Sequence, residues 1–431
     1  MAYGAIQTEL RNKNDNTVRV KIHNGTSEPA NTAIQANDSF SIDPFGRWRT
    51  SSPFTLFDSK QLYGASTFFF DDQETSGSGT SSAHSTDEAA TTMSVGTAAG
   101  TRVRQTKMRF NYQPGKGQEI LVTCAEFDTD TGITKRMGYF DDDNGLFFES
   151  DEGTVKVVRR THVSGSAVDN AVAQANWNLD KMDGTGPSGV TLDFTKTQIG
   201  FIDFEWLGVG RVRMGWVIDG KIYYCHTFDN TNNLATVYMS TPNLPIRYEI
   251  SNDGNGAADD FVHICCSVMS EGGVEDTGTL NGVDTGSTKI DLATAGTLYP
   301  ILGIKLLSTH LDATVKPINF NVLETAGIAF RYSLHLNPTL SSALSYTSVA
   351  SSGFQYAVGD GTITATAPGV VLNSGYVGNT KNAQAVAQEN LRTPWHLGSL
   401  IDGTPDELVL CVTPLTANAD IFASINLRSQ L

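Results

Sequence analysis

Between residues 201 and 228 the chain reads FIDFEWLGVGRVRMGWVIDGKIYYCHTF, with apolar and polar side chains alternating through three runs separated by glycine. A period of two buries one face of each run and predicts a β-meander. The first run sets Ile202, Phe204 and Trp206 against Asp203 and Glu205; the second sets Val212, Met214, Trp216 and Ile218 against Arg211 and Arg213. Asp219-Gly220, between the second and third runs, suits the two positive φ angles of a type I′ hairpin. That turn places Trp216 across from Tyr223 and Met214 across from Cys225, pairs that contribute about 0.2–1 kcal/mol each.

Short apolar runs of strand length recur at 103–112, 119–127, 135–140, 146–149, 155–161, 190–194, 245–250 and 261–269. Turn signals at Pro114-Gly115, Asp130-Thr131-Gly132, Asn144-Gly145 and Asp183-Gly184 separate several of them. Antiparallel strands in this number close into a barrel or pack as two sheets. Further strands are expected at 298–307, 313–323, 327–335, 361–367 and 407–414, and one short helix at 382–391.

Four segments result. Residues 1–74 read as an N-terminal arm or small subdomain whose aromatics, among them Trp48, Phe54, Phe57 and Tyr63, need another surface to cover them. A partner subunit or the next domain of the same chain would serve. Residues 75–92, TSGSGTSSAHSTDEAATT, have linker composition. The central sandwich is expected at 93–272 and a C-terminal β-sandwich domain at 288–431, with a polar stretch between them.

Composition narrows the partners. Of 431 residues only 18% are charged, and the net charge of −16 argues against a surface that neutralises phosphates, so no nucleic acid is expected. The five cysteines, Cys124, Cys225, Cys265, Cys266 and Cys411, are odd in number and sit mostly in apolar runs, as reduced core thiols do. No basic region followed by an apolar one opens the chain, and no apolar run approaches the roughly 18 residues of a membrane span. Synthesis in a reducing cytosol and no membrane insertion are the expectations.

Motifs for chemistry are sparse. Around Gln113-Pro114-Gly115-Lys116-Gly117 a phosphate-binding loop fails twice, with Phe110 at its first glycine and Gly117 at its Ser/Thr. Asp141-Asp142-Asp143-Asn144-Gly145 gathers oxygen ligands, yet Phe140 occupies the first EF-hand position, and the segment reads as a solvated hairpin tip. Eight scattered histidines lack zinc spacing. Neither a metal nor a cofactor is expected. Asp203 and Glu205 share one face of a strand, where two carboxylates could work on a glycosidic bond. Alternatively they pair with Arg211 or Arg213, which requires an odd loop or a bulge at Gly208 to Gly210.

Asp203-Phe204-Glu205 resembles part of the ExDxE strand motif of laminarinase-like glycoside hydrolases, which implies a concanavalin-A-like sandwich. Phe201 stands where that family has its nucleophilic glutamate, so the resemblance implies the fold without the covalent step. Longer blocks, FGRWRTSSPFTLFDSKQLYG (45–64), RVRQTKMRFNYQPGKGQEI (102–120), DFTKTQIGFIDFEWLGVGRVRMGWVIDGKIYYCH (193–226) and YMSTPNLPIRYEI (238–250), resemble signature blocks of a family of structural proteins of tailed bacteriophages. Together these readings imply an all-β fold, with a jelly-roll or concanavalin-A-like central sandwich, a C-terminal β-rich domain and an extended N-terminal arm. They also imply a non-enzymatic virion component of the capsid-decoration, fibre or tail kind, made in the host bacterial cytoplasm and present in the virion as a homo-oligomer. Its partners would be other virion proteins, anchored through Arg47, Trp48, Phe54 and Phe57. The alternative is recognition of host surface glycans, with Asp203, Glu205, Arg211 and Arg213 as a glycan or charged-pair site. A glycan depolymerase using Asp203 and Glu205 is the third reading. The family brings no catalytic residues with it.

Overall fold

The computed structural model describes residues 10–11, 18–19, 52–379, 384–387 and 395–431. The chain divides into two compact units, Met1–Ser51 and Ser52–Leu431. In the first, strands β1 (Leu10–Arg11) and β2 (Val18–Arg19) pair antiparallel. The second unit carries a central sandwich and a C-terminal one, and its described strands pair antiparallel.

The central strands are β3 (Phe54–Ser59), β4 (Phe70–Gly77), β5 (Thr80–Ser85), β6 (Ala90–Val95), β7 (Gly100–Thr106), β8 (Gln118–Ala125), β9 (Ile133–Phe140), β10 (Gly145–Asp151), β11 (Thr154–Thr161), β12 (Val168–Ala173), β13 (Gln198–Phe204), β14 (Val212–Ile218), β15 (Lys221–Phe228), β16 (Ile246–Asn252) and β17 (Asp259–Ser270). One sheet has the order β12-β11-β10-β9-β16-β7-β4 and the other β15-β14-β13-β8-β17-β6-β5, with β3 also on β17. They stack with β10 on β13, β9 on β8 and β16 on β17. Alternation decides which side chains fill the gap: β8 buries Ile120, Val122 and Cys124 and turns Glu119, Leu121 and Thr123 outward. Trp216, fully buried, lies 4.4 Å from the Phe148 ring of the facing sheet and 5.4 Å from Phe194. Aromatic contacts of this kind contribute beyond their buried area.

The fold begins earlier than its composition suggests. The stretch expected as a linker, 75–92, forms the end of β4, all of β5 and the start of β6. The Ser/Thr-rich β5, at the sheet edge, has no fully buried residue of its own, and its neighbour β6 supplies Ala90 and Met93 to the core. The run 190–194 contributes only an isolated bridge, Thr191 to Asp183, although Phe194 still packs in the core.

The Asp219-Gly220 turn has φ of +52° and +76°, as a type I′ hairpin requires. Trp216 faces Tyr223 as expected, but Met214 faces His226 rather than Cys225. A bulge between Met214 and Gly215 absorbs one residue of β15. Gly215 permits it, since a Cβ there would sit 2.3 Å from the Tyr223 carbonyl oxygen.

In the C-terminal sandwich, a five-stranded sheet (Thr279–Asp284, Ile290–Leu292, Thr314–Glu324, Gln384–Ala387, Ala419–Gln430) faces a six-stranded one (Tyr299–Leu306, Phe330–Leu336, Thr347–Ser348, Phe354–Val358, Val370–Val377, Glu407–Pro414). Within the segment expected to be helical, Gln384–Ala387 is a strand paired with Thr314–Glu324. The run expected at 361–367 shrinks to Ala365–Ala367. Trp395 packs against both sandwich cores. No helix among the described residues is long and apolar enough to cross a membrane.

Candidate functional site

The outer face of the β15-to-β5 sheet carries the residues singled out by alternation. Register aligns Met269, Glu119, Asp203, Arg213 and Thr227 in one row across β17, β8, β13, β14 and β15. The next row is Ser267, Leu121, Phe201, Gly215 and Tyr224. Because 205–211 is an odd loop between Phe204 and Val212, Asp203 stands opposite Arg213, and the two form an ion pair. The Tyr224 hydroxyl donates to the same Asp203 carboxylate at 3.0 Å. Arg213 lies over the Tyr224 ring at 4.6 Å, and Phe201 meets that ring edge-on at 5.8 Å. Gly215, between Phe201 and Tyr224 in the second row, is overlaid by the β15 backbone at the bulge.

Exposure separates support from contact. Asp203 and Phe201 are buried, whereas 43% of the Arg213 side chain is exposed and Tyr224 is half-buried. Burial and the neighbouring Asp203 push the Tyr224 hydroxyl upward, which keeps it a donor. Glu119 is pushed up to about 7, first by burial, then by the Glu271 carboxylate and a hydrogen bond to it, then by Asp203, with Arg213 opposing. Near neutral pH Glu119 is therefore only partly ionised beside the Glu271 carboxylate.

The other singled-out positions go elsewhere. Glu205 lies beyond the end of β13, exposed, and accepts the Arg211 backbone N–H at 3.2 Å. Arg211 pairs with Asp229 at 2.7 Å on the surface, a contact of about 0–1 kcal/mol. The pairing expected for Asp203 is thus made by Arg213, and Glu205 takes no part in it. Arg47 and Trp48 lie outside the described residues. Phe54 is 42% exposed at the start of β3, but Phe57 is buried among Phe69, Phe70 and Phe110 and fills its own chain's core instead of covering a partner.

The acidic hairpin tip is not the freely solvated loop expected. Asp141 accepts the backbone N–H groups of Asp143 and Asn144 and pairs with Arg109; Asp142 pairs with Arg247 at 2.8 Å and Asp143 with His162 at 2.6 Å. Asn144 is buried against Ser240. Among the described residues no group of three or more His, Cys, Asp or Glu is arranged to hold a metal ion. All five cysteines are free, and Cys265 alone among them is not buried.

Glu119, Glu271 and Tyr224 were not singled out from sequence. Tyr224 could have been found from the hairpin register and Glu119 from the alternation of QEILVTCA. Glu271 reaches Glu119 only because β17 pairs with β8, which no local pattern announces.

No family model and no curated protein matches the chain. Among solved structures it is similar to the Emp47p carbohydrate recognition domain (9% identity, 52% of this chain, 97% of that one, TM-score 0.33). It is similar also to Bacillus licheniformis β-glucanase (11%, 52% and 99%, 0.31) and to a legume lectin-like domain from Entamoeba histolytica (8%, 50% and 97%, 0.30). Scores at this level carry no argument about residues or activity; the fold rests on the strand pairing above.

Proposed function

We propose that this is a non-catalytic glycan-binding protein whose recognition surface is the outer face around Tyr224. One observation carries the reading: a half-buried aromatic ring is fixed between Phe201 and the exposed Arg213 on the outer face of the sheet, with the Asp203 and Glu119 carboxylates beside it. A ring plane takes the C–H face of a sugar, and the Glu119 carboxyl and the Arg213 guanidinium take its hydroxyls. Absence of turnover is part of the proposal. Phe201 occupies the place of the laminarinase-like nucleophile, and Asp203 is committed to Arg213 and Tyr224.

A glycan array followed by calorimetry tests this. We expect a saturable ligand whose affinity falls at least about tenfold in Tyr224→Ala, as loss of a packed aromatic contact does. An array without signal, or a Tyr224→Ala variant that binds unchanged, overturns it. The four sequence blocks support a setting for that binding, the surface of a phage particle as a decoration, fibre or tail component. Absence of the protein from washed particles would remove that setting while leaving glycan binding intact.

A further inference from the structure

Where the loop 60–69 closes over the sandwich, a histidine and an arginine are buried side by side. His263, on β17, is fully buried, stacked on the Tyr248 ring at 3.9 Å and close to Phe70 at 5.1 Å. Arg104, on β7 and 1% exposed, donates its Nε–H to His263 Nδ1 at 3.2 Å. An arginine has no acceptor to offer, so this bond requires Nδ1 to carry no proton, and His263 is the neutral tautomer with its hydrogen on Nε2. That Nε2 has no hydrogen-bond partner.

The same guanidinium holds the loop. Its other nitrogens reach Asp72 Oδ2 at 3.2 Å, Gln61 Oε1 at 3.1 Å and the Ala65 carbonyl. Gln61, itself buried, donates its amide to the carbonyls of His263 and Ile264 at 3.0 Å and accepts the Thr91 hydroxyl. Its backbone sits at φ +49°, a conformation that costs free energy unless the surroundings hold it. Beyond this clamp the loop presents Leu62 and Tyr63 to solvent, Tyr63 at 92% exposure.

We propose that His263, Arg104 and Gln61 form an acid-released latch: a second proton on His263 frees the loop that displays Leu62 and Tyr63. The proton arrives at Nδ1, removes the acceptor for Arg104 and sets two cations in contact in a dry site. Around the imidazole the titratable groups are Arg104 and, through it, Asp72 from the facing sheet, Tyr248 from β16, Cys124 from β8 and Cys266 from its own strand; His84 of β5 contacts the Gln61 carbonyl at 2.6 Å. Asp72 is the one carboxylate in this set, and it already pairs with Arg102 and Arg104. The second cation gains no free counter-ion here.

The device is checked by hydrogen exchange on the full chain, corrected for intrinsic amide rates. Opening of 61–69 is coupled to proton uptake below the ordinary histidine pKa, so protection there should drop about thirtyfold between pH about 7.5 and about 5 while β8 and β13 keep theirs. In His263→Gln the drop should vanish. Gln61→Leu, which cuts the clamp without touching the imidazole, should leave the loop open at both pH values. Unchanged wild-type protection overturns the proposal, as does concerted loss across the sandwich or a pH response that survives His263→Gln. Should that variant fail to fold, the wild-type profile and Gln61→Leu still decide.

Discussion

At position 119 a glutamate faces outward from a strand, yet its neighbours decide its charge. Burial and Glu271 raise its folded pKa to about 7, above the ordinary 4.5. Between those values the folded state binds more protons than the unfolded one, so stability is highest towards pH 4.5 and is lost as pH rises through 7. Glu119→Gln should therefore raise the melting temperature near pH 8 and leave it almost unchanged near pH 4.5, as thermal unfolding at the two pH values will report. His263 has the opposite sign. Its folded pKa lies well below 6.5, through burial and then Arg104, so its contribution is lost as pH falls below 6.5. Between pH about 4.5 and about 6.5 the two contributions change in opposite directions and offset one another. Alternation placed Asp203 and Arg213 on one face, but the raised pKa of Glu119 depends on a residue 152 positions away in sequence, counting from 119 to 271, and was invisible locally.

Among elements, the β14–β15 hairpin separates two uses of glycine. Gly220 has φ +76° and nothing within 4 Å of a built Cβ, so Gly220→Ala should cost about 1 kcal/mol from backbone conformation alone. Gly215 is tightly overlaid by β15, and Gly215→Ala should cost more, about 1–3 kcal/mol, by forcing the bulge apart. Denaturant titration of the two variants measures the order, and loss of glycan binding in Gly215→Ala alone would tie the bulge to the Tyr224 site. The turn itself was legible because Asp-Gly has few other conformations to serve. The bulge was not, since it shifts one strand by one residue at no cost to the apolar pattern and moves His226 inward while Thr227 meets Arg213. Likewise β5 hid in a Ser/Gly-rich stretch, because an edge strand draws its stability from hydrogen bonds to β6 more than from its side chains.

Across the whole molecule, charge is organised by sheet rather than by net total. On the outer face of the β12-to-β4 sheet, Lys156, Glu149, Arg136, Glu249 and Arg247 form a chain of ion pairs at 2.6–3.0 Å. Glu249 would be pushed up by its burial, but Arg247 and Arg136 outweigh that and hold it low. Arg136→Leu leaves two buried carboxylates short of a partner and should cost about 3–5 kcal/mol, read from denaturant midpoints. By itself the sequence determined the all-β class, the meander, the type I′ turn and the outward placement of Asp203 and Arg213, because each follows from period-two alternation or from the backbone limits of adjacent residues. Tertiary structure alone decided that Phe57 belongs to the core, that 75–92 is strand, that Glu271 meets Glu119 and that Arg104 clamps both His263 and Gln61. Those contacts join residues far apart in the chain, and their free energy depends on burial and on distances between strands, which a linear pattern does not contain.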